Sequence, residues 1–283
     1  MSKRILIIGV HTYNSGKTRV AAQIMDYLQN NDASGEYFKP LSAHNFWHNY
    51  SHSENCLESS SLHSKDAAYV RRFYESKLPL EISNPVHRLY APALTERPLA
   101  SLPSTLAIAG MDSVLVMQRF SHPKDDAIES TNLLAKELID SDSVLFSKEN
   151  AEKMTGDAVV ESISTFSEAH AFEEGMLEGH IGDSFDWVEE RADIVVIEAF
   201  NDTVWPWEEL TNVDSIIAVS PGQAFRFDPE RMLKAVQIST YSNASIREVS
   251  FSQVSDLIKP ISKMRVYPKT GLRKQDIERL VQI

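Results

Sequence analysis

The chain has 283 residues, 42% hydrophobic and 24% charged, enough for one large α/β domain or two small ones around a substantial core. A net charge of −12 argues against a nucleic-acid partner, since a phosphate backbone is bound by clustered Lys and Arg. The single cysteine, Cys56, excludes an intrachain disulfide and is expected to exclude any cysteine-based zinc site.

Met1-Ser2-Lys3-Arg4 passes straight into an apolar run, and no stretch approaches membrane-spanning length. A soluble, cytoplasmic protein with no membrane partner is the expectation. Arg4-Ile5-Leu6-Ile7-Ile8-Gly9 predicts a strand that breaks at the glycine. A polar loop follows, Val10 to Ser15, and ends in Gly16-Lys17-Thr18. Val20, Ile24, Met25 and Leu28 then share one face of a predicted helix.

Strand, loop and helix start are in the order a phosphate-cradling loop requires. Unpaired amides at a helix opening favour negative charge, Lys17 can reach terminal phosphates, and the Thr18 hydroxyl can ligate Mg²⁺. Thr12, Asn14, Ser15 and Gly16 complete the expected nucleotide-binding loop. The usual spacing places a glycine where this chain has His11, and the nearest upstream glycine is Gly9, so the loop is longer than the standard form.

Gly35 to Leu41 predicts a second strand stopped by Pro40, with Lys39 at its end, where the amine could approach a γ-phosphate. Residues 43–60 are too polar for a core strand and too aromatic for a plain linker. His44, His48 and His52 would stack on one face if this piece were helical, a spacing that could bind a metal. The plainer reading is a solvated, aromatic-capped loop. Residues 64–76 predict a helix with Ala67, Val70, Phe73 and Tyr74 on its apolar side, and Pro79, Pro85, Pro92, Pro98 and Pro103 punctuate an irregular stretch.

Ser113 to Arg119 predicts a strand, and Asp142 to Phe146 is a second candidate. Residues 124–190 read as largely helical and acidic. Ala192 to Glu198 and Val213 to Ser220 predict buried strands. Alternating apolar strands and helices imply a mostly parallel twisted sheet flanked by helices, in one domain over 1–283 with an insertion within 104–180. Glu198 closes its strand at the sheet's carboxyl edge, where a metal-orienting acid belongs.

With these positions in hand, the chain resembles dethiobiotin synthetase and related P-loop enzymes that activate a carboxylate or carbamate. It looks closer still to an archaeal group described as predicted P-loop ATPase/GTPase, with its Phe-Lys-Pro-Leu-Ser segment. Gly9 to Thr18 resembles the synthetase's P-loop, and Tyr37-Phe38-Lys39-Pro40-Leu41 its Tyr-Lys-Pro-Val segment, whose lysine contacts phosphate and substrate. Ser64 to Ala68 is similar to its Ser-Asp-Ala element, which implies that Asp66 serves Mg²⁺. Ser83 to Pro92 resembles its Asn-Pro-Tyr stretch. Asp193 to Glu198 is similar to the strand whose glutamate is the other metal-site acid.

The resemblance covers roughly a third of the chain, by segments in the family's order. It implies ATP and Mg²⁺, metal ligation by Thr18, Asp66 and Glu198, catalysis by Lys17 and Lys39, and a homodimer acting on a small carboxylate or amine. The family follows its glutamate with Gly-Ala-Gly, whereas this chain has Ala199-Phe200-Asn201-Asp202, so the biotin precursor is not the expected substrate. Ser42, His44, Asn45 and Asn201 are the candidate substrate contacts.

Two function classes follow. One is an ATP-dependent ligase-like enzyme, and the absence of cysteine after 225 argues against glutamine as its nitrogen donor. The other is a regulatory or metallochaperone-type GTPase, which calls for an Asn/Thr-Lys-x-Asp base reader. Ser220 to Phe225 lacks that lysine and aspartate. A non-catalytic nucleotide-binding module is a third reading.

Overall fold

A computed structural model describes residues 2–94, 113–125, 127–240 and 245–281. The strands are β1 (Lys3–Gly9), β2 (Gly35–Phe38), β3 (Leu41–Asn45), β4 (Val86–Pro92), β5 (Ser113–Lys124), β6 (Ala127–Leu134), β7 (Val159–Ser162), β8 (Ile194–Glu198), β9 (Ser215–Ser220), β10 (Gln223–Phe227) and β11 (Ser262–Arg265). The helices are α1 (Lys17–Gln29), α2 (Tyr50–Glu58), α3 (Lys65–Val70), α4 (Leu80–Ser83), α5 (Lys136–Asp140), α6 (Lys148–Thr155), α7 (Phe166–Glu189), α8 (Pro229–Ser239), α9 (Phe251–Val254) and α10 (Lys274–Val281). The described residues fall into two compact units, within 1–41, 66–84 and 181–283, and within 42–65 and 85–180.

The first unit is built on a sheet of order β11-β10-β9-β1-β8-β2. Its four strands β9, β1, β8 and β2 run parallel, and β10 and β11 add an antiparallel edge. Ile5 to Ile8 and Val195 to Ile197 are wholly buried, which is why these strands are unbroken apolar runs rather than alternating ones. One face packs on α1 through Val20, Ala21, Ile24, Met25 and Leu28 with Ile5, Ile7, Val196 and Tyr37. On the other face Phe38 meets Phe185 of α7 and Trp207, ring centroids 5.3 and 5.8 Å apart. Helices therefore cover both faces, and the carboxyl ends of β1, β2, β8 and β9 open on one edge.

The second unit carries a sheet of order β3-β4-β5-β6-β7. Its β4, β5 and β6 are antiparallel, and β7 joins β6 in parallel. Phe46, Cys56, Leu62, Leu89, Val116, Met117, Phe146 and Met154 share its core. The fold is thus α/β with two mixed sheets, not one mostly parallel sheet.

Several expected elements change. Residues 43–60 are not a solvated loop: they form the end of β3, a turn and α2. The segment expected to be largely helical after 124 holds β6 and β7, because Ala127 to Leu134 pairs along its whole length with β5. The strand expected over 142–146 shrinks to an isolated bridge between Ala93 and Val144. The helix over 64–76 stops at Val70 and tightens into a 3₁₀ turn. Pro98 and Pro103 lie outside the described residues. Among the described residues no helix is long and apolar enough to cross a membrane.

Candidate functional site

β1 ends at Gly9, and Val10 keeps the register by donating its amide to Val219 at 2.9 Å. Beyond it the loop closes on itself. The Ser15 hydroxyl donates to the His11 carbonyl at 2.6 Å and accepts the His11 amide at 3.1 Å. Positive φ at Asn14 (56°) and Gly16 (92°) supplies the tight reversals from which anion-binding concavities are made. Gly16 caps α1 without a side chain, and the first turn of α1 carries no acidic residue of its own. Thr12 and Asn14 are exposed on the loop, whereas Ser15 is buried.

Lys17, the first residue of α1, is only 8% exposed, and its amine donates to the Asn201 carbonyl. Gly9 makes room for it: a Cβ there would lie 2.8 Å from the Asn201 oxygen and 2.9 Å from the Lys17 amine. Burial, and then the neighbouring Lys39 charge, push the Lys17 pKa down to about 8, against the pull of Glu198, Asp66 and Asp202.

Glu198, 1% exposed at the end of β8, is the hub. Its Oε1 accepts from the Thr18 hydroxyl at 2.9 Å and from Lys39 Nζ at 2.7 Å, and its Oε2 accepts from the Tyr37 hydroxyl at 2.8 Å. Lys39 Nζ also meets Asp66 Oδ2 at 2.9 Å. Burial works to lower the Lys39 pKa, but Asp66 and Glu198 outweigh it and hold the amine above its ordinary value. Burial, and then the Glu198 charge, keep the Tyr37 phenol well above its usual range.

The structure thus gathers Lys17, Thr18, Lys39, Asp66, Glu198 and the Asn201 carbonyl within the first unit, at the carboxyl edge of its parallel strands. Thr18, Glu198 and Asp66 offer hard oxygens, the donor set that suits Mg²⁺. Asn201 takes part through its backbone, a role its side chain does not advertise. The sequence does not single out Tyr37 or Asp202 as site residues. The usable signal for Tyr37 is its spacing: residues 37 and 39 share a strand face, and both reach Glu198.

Ser42, His44 and Asn45 belong to the second unit and have partners there. Ser42 Oγ lies 2.5 Å from His87 Nδ1, and His87 Nε2 lies 2.6 Å from His44 Nδ1. The Asn45 side chain bonds Ser113 Oγ at 2.8 Å and accepts the amides of Trp47 and His48, so it builds a turn. His44, His48 and His52 do not form one helical face: His44 is on β3, His48 is exposed in the turn, and His52 is on α2. His44 and His52 still meet, ring centroids 4.8 Å apart.

Compared with protein-family models, curated proteins and solved structures, the chain matches none.

Proposed function

We propose that the first unit is a P-loop NTPase unit of the dethiobiotin synthetase-like kind, and that the chain, as a homodimer, uses Mg-ATP to phosphorylate a small carboxylate or carbamate. The observation that supports this reading best is the convergence on Glu198 of the Thr18 hydroxyl and the Lys39 ammonium, beside a second buried lysine.

Lys17 at the opening of α1 and Lys39 after β2 would together form a seat for a polyanion. Lys17 and Lys39 would draw negative charge from the transferring phosphoryl group, and amides around Asn14 to Gly16 would hold the β-phosphate. Catalysis of this kind is positioning and charge neutralisation. Thr18, Asp66 and Glu198 would hold Mg²⁺, which in such sites neutralises charge on the β- and γ-phosphates. The γ-phosphoryl leaves ADP for the carboxylate oxygen, giving a mixed anhydride. An amine then opens it and releases phosphate.

The GTPase reading finds less support. The place for a guanine reader is the turn Pro221-Gly222 between β9 and β10, with Gly222 at φ 81°. Phosphate release from Mg-ATP in the presence of pooled carboxylic acids and diamines tests the proposal. Stimulation by one acid supports it, and a strict preference for GTP sinks it.

A further inference from the structure

The second unit carries a set of metal donors that the nucleotide chemistry does not use. His52 and Cys56 stand four residues apart on α2 and present one face. His44 reaches the same place from β3. The three are 7%, 0% and 5% exposed for His52, Cys56 and His44, and one donor atom from each lies within 4.8 Å of the others. Cys56 Sγ is 3.7 Å from His52 Nε2 and 3.6 Å from His63 Nδ1.

Those separations have a direct meaning. Zinc–sulfur and zinc–nitrogen bonds of about 2.3 and 2.0–2.1 Å, at a tetrahedral angle, put sulfur and nitrogen about 3.5 Å apart. The Cys56–His52 distance is therefore close to a tetrahedral edge, His44 has at most about an ångström to close from its place within 4.8 Å, and His52 Nε2 exchanges the His63 carbonyl, now 2.9 Å away, for the ion.

We propose that His44, His52 and Cys56 bind one zinc ion. A mixed imidazole and thiolate set selects a borderline-soft ion over Mg²⁺ or Ca²⁺, and because histidines supply the other ligands it revises the expectation that a single cysteine excludes such a site. The Cys56 thiol gives up its proton to solvent as the sulfur ligates. His44 binds through Nε2. Its Nδ1 donates to His87 Nε2, and His87 Nδ1 donates to Ser42 Oγ, a relay that fixes ring and tautomer as outer partners of zinc-bound histidines do. His63 offers a further donor through Nε2, 4.0 Å from the sulfur, because its Nδ1 faces the Ser61 carbonyl at 3.0 Å. The ion would pin β3 to α2, and this inference stands apart from the nucleotide site, which lies in the other unit.

The test is a Co²⁺ titration of the full chain after chelator treatment, followed by Zn²⁺. One equivalent of Co²⁺ should give visible d–d absorption with a near-ultraviolet thiolate charge-transfer band, and Zn²⁺ should erase both. Cys56→Ser should abolish the charge-transfer band. His87→Ala should weaken Co²⁺ binding about 10–100-fold while leaving that band in place. Lys17→Ala should titrate as the wild type does. If the wild-type chain takes up no Co²⁺, or takes it up with no thiolate band, the proposal is overturned. That reading is independent of whether any variant folds.

Discussion

The Thr18 hydroxyl donates to Glu198 Oε1 at 2.9 Å, which ties the first turn of α1 to the end of β8. Because β8 pairs directly with β1, the loop after β1 and the acid after β8 are neighbours by topology. Lys39 enters the same carboxylate from β2, the next strand along. Three parallel strand ends therefore converge on one carboxylate, and the nucleotide proposal rests on this junction.

Glu198→Gln keeps the shape of the side chain but removes its charge and turns one accepting oxygen into a donor. Lys39 retains Asp66, so the stability cost should be about 1–3 kcal/mol, less than when a buried charge loses its only partner. Nucleotide should still bind, while Mg²⁺-dependent phosphate release falls on the order of 10²–10³-fold. Turnover with unaltered metal dependence would count against the assigned role.

Gly9→Ala puts a methyl group 2.8 Å from a fixed carbonyl and 2.9 Å from the Lys17 amine. The lysine must leave its seat, so nucleotide affinity should drop at least ~10-fold, and overpacking should cost about 1–3 kcal/mol. Gly175→Ala is the control. A Cβ there meets nothing within 4 Å in the helix, and the variant should be about 0.5–1 kcal/mol more stable with unchanged affinity. Calorimetric titration and thermal melts measure both.

Nucleotide affinity should depend on pH through Lys17. Its pKa near 8 in the free protein rises when a phosphate sits beside it, so binding is coupled to the charged form. Affinity should be nearly flat below pH 7 and fall as pH climbs past 8, by at most ~10-fold per unit. Stability without ligand moves the opposite way. The unfolded lysine, with a pKa near 10.4, binds more protons than the folded one between about pH 8 and 10, so stability rises across that window. Lys17→Met should flatten both profiles.

Much of the proposed nucleotide site is legible in the chain because its parts are local. The apolar run before Gly9, the Gly16-Lys17-Thr18 helix start and the strand-end acid Glu198 each announce themselves within a few residues. Residues 43–60 are not legible in that way. Their polarity points to solvent, yet Ser42, His44 and His87 satisfy one another inside the second unit, and a buried polar relay has no signature until its partners from β3 and β4 are adjacent. Residues 127–134 mislead for a related reason: a strand held by cross-strand pairing with β5 outweighs the helical bias of its Ala, Glu and Leu residues. The meeting of His44 with His52 and Cys56 likewise depends on tertiary placement rather than on the 44/48/52 spacing.

The affinity of Mg²⁺ with a non-hydrolysable ATP analogue, titrated calorimetrically into the wild-type chain and into Lys17→Ala, tests the nucleotide seat most directly. One site per chain is expected, weakened in the variant by about 1.5–3 kcal/mol, or roughly 10–150-fold, with the thermal melt of the unliganded protein preserved. Equal affinities for the two proteins, or no binding to the wild type, would contradict it.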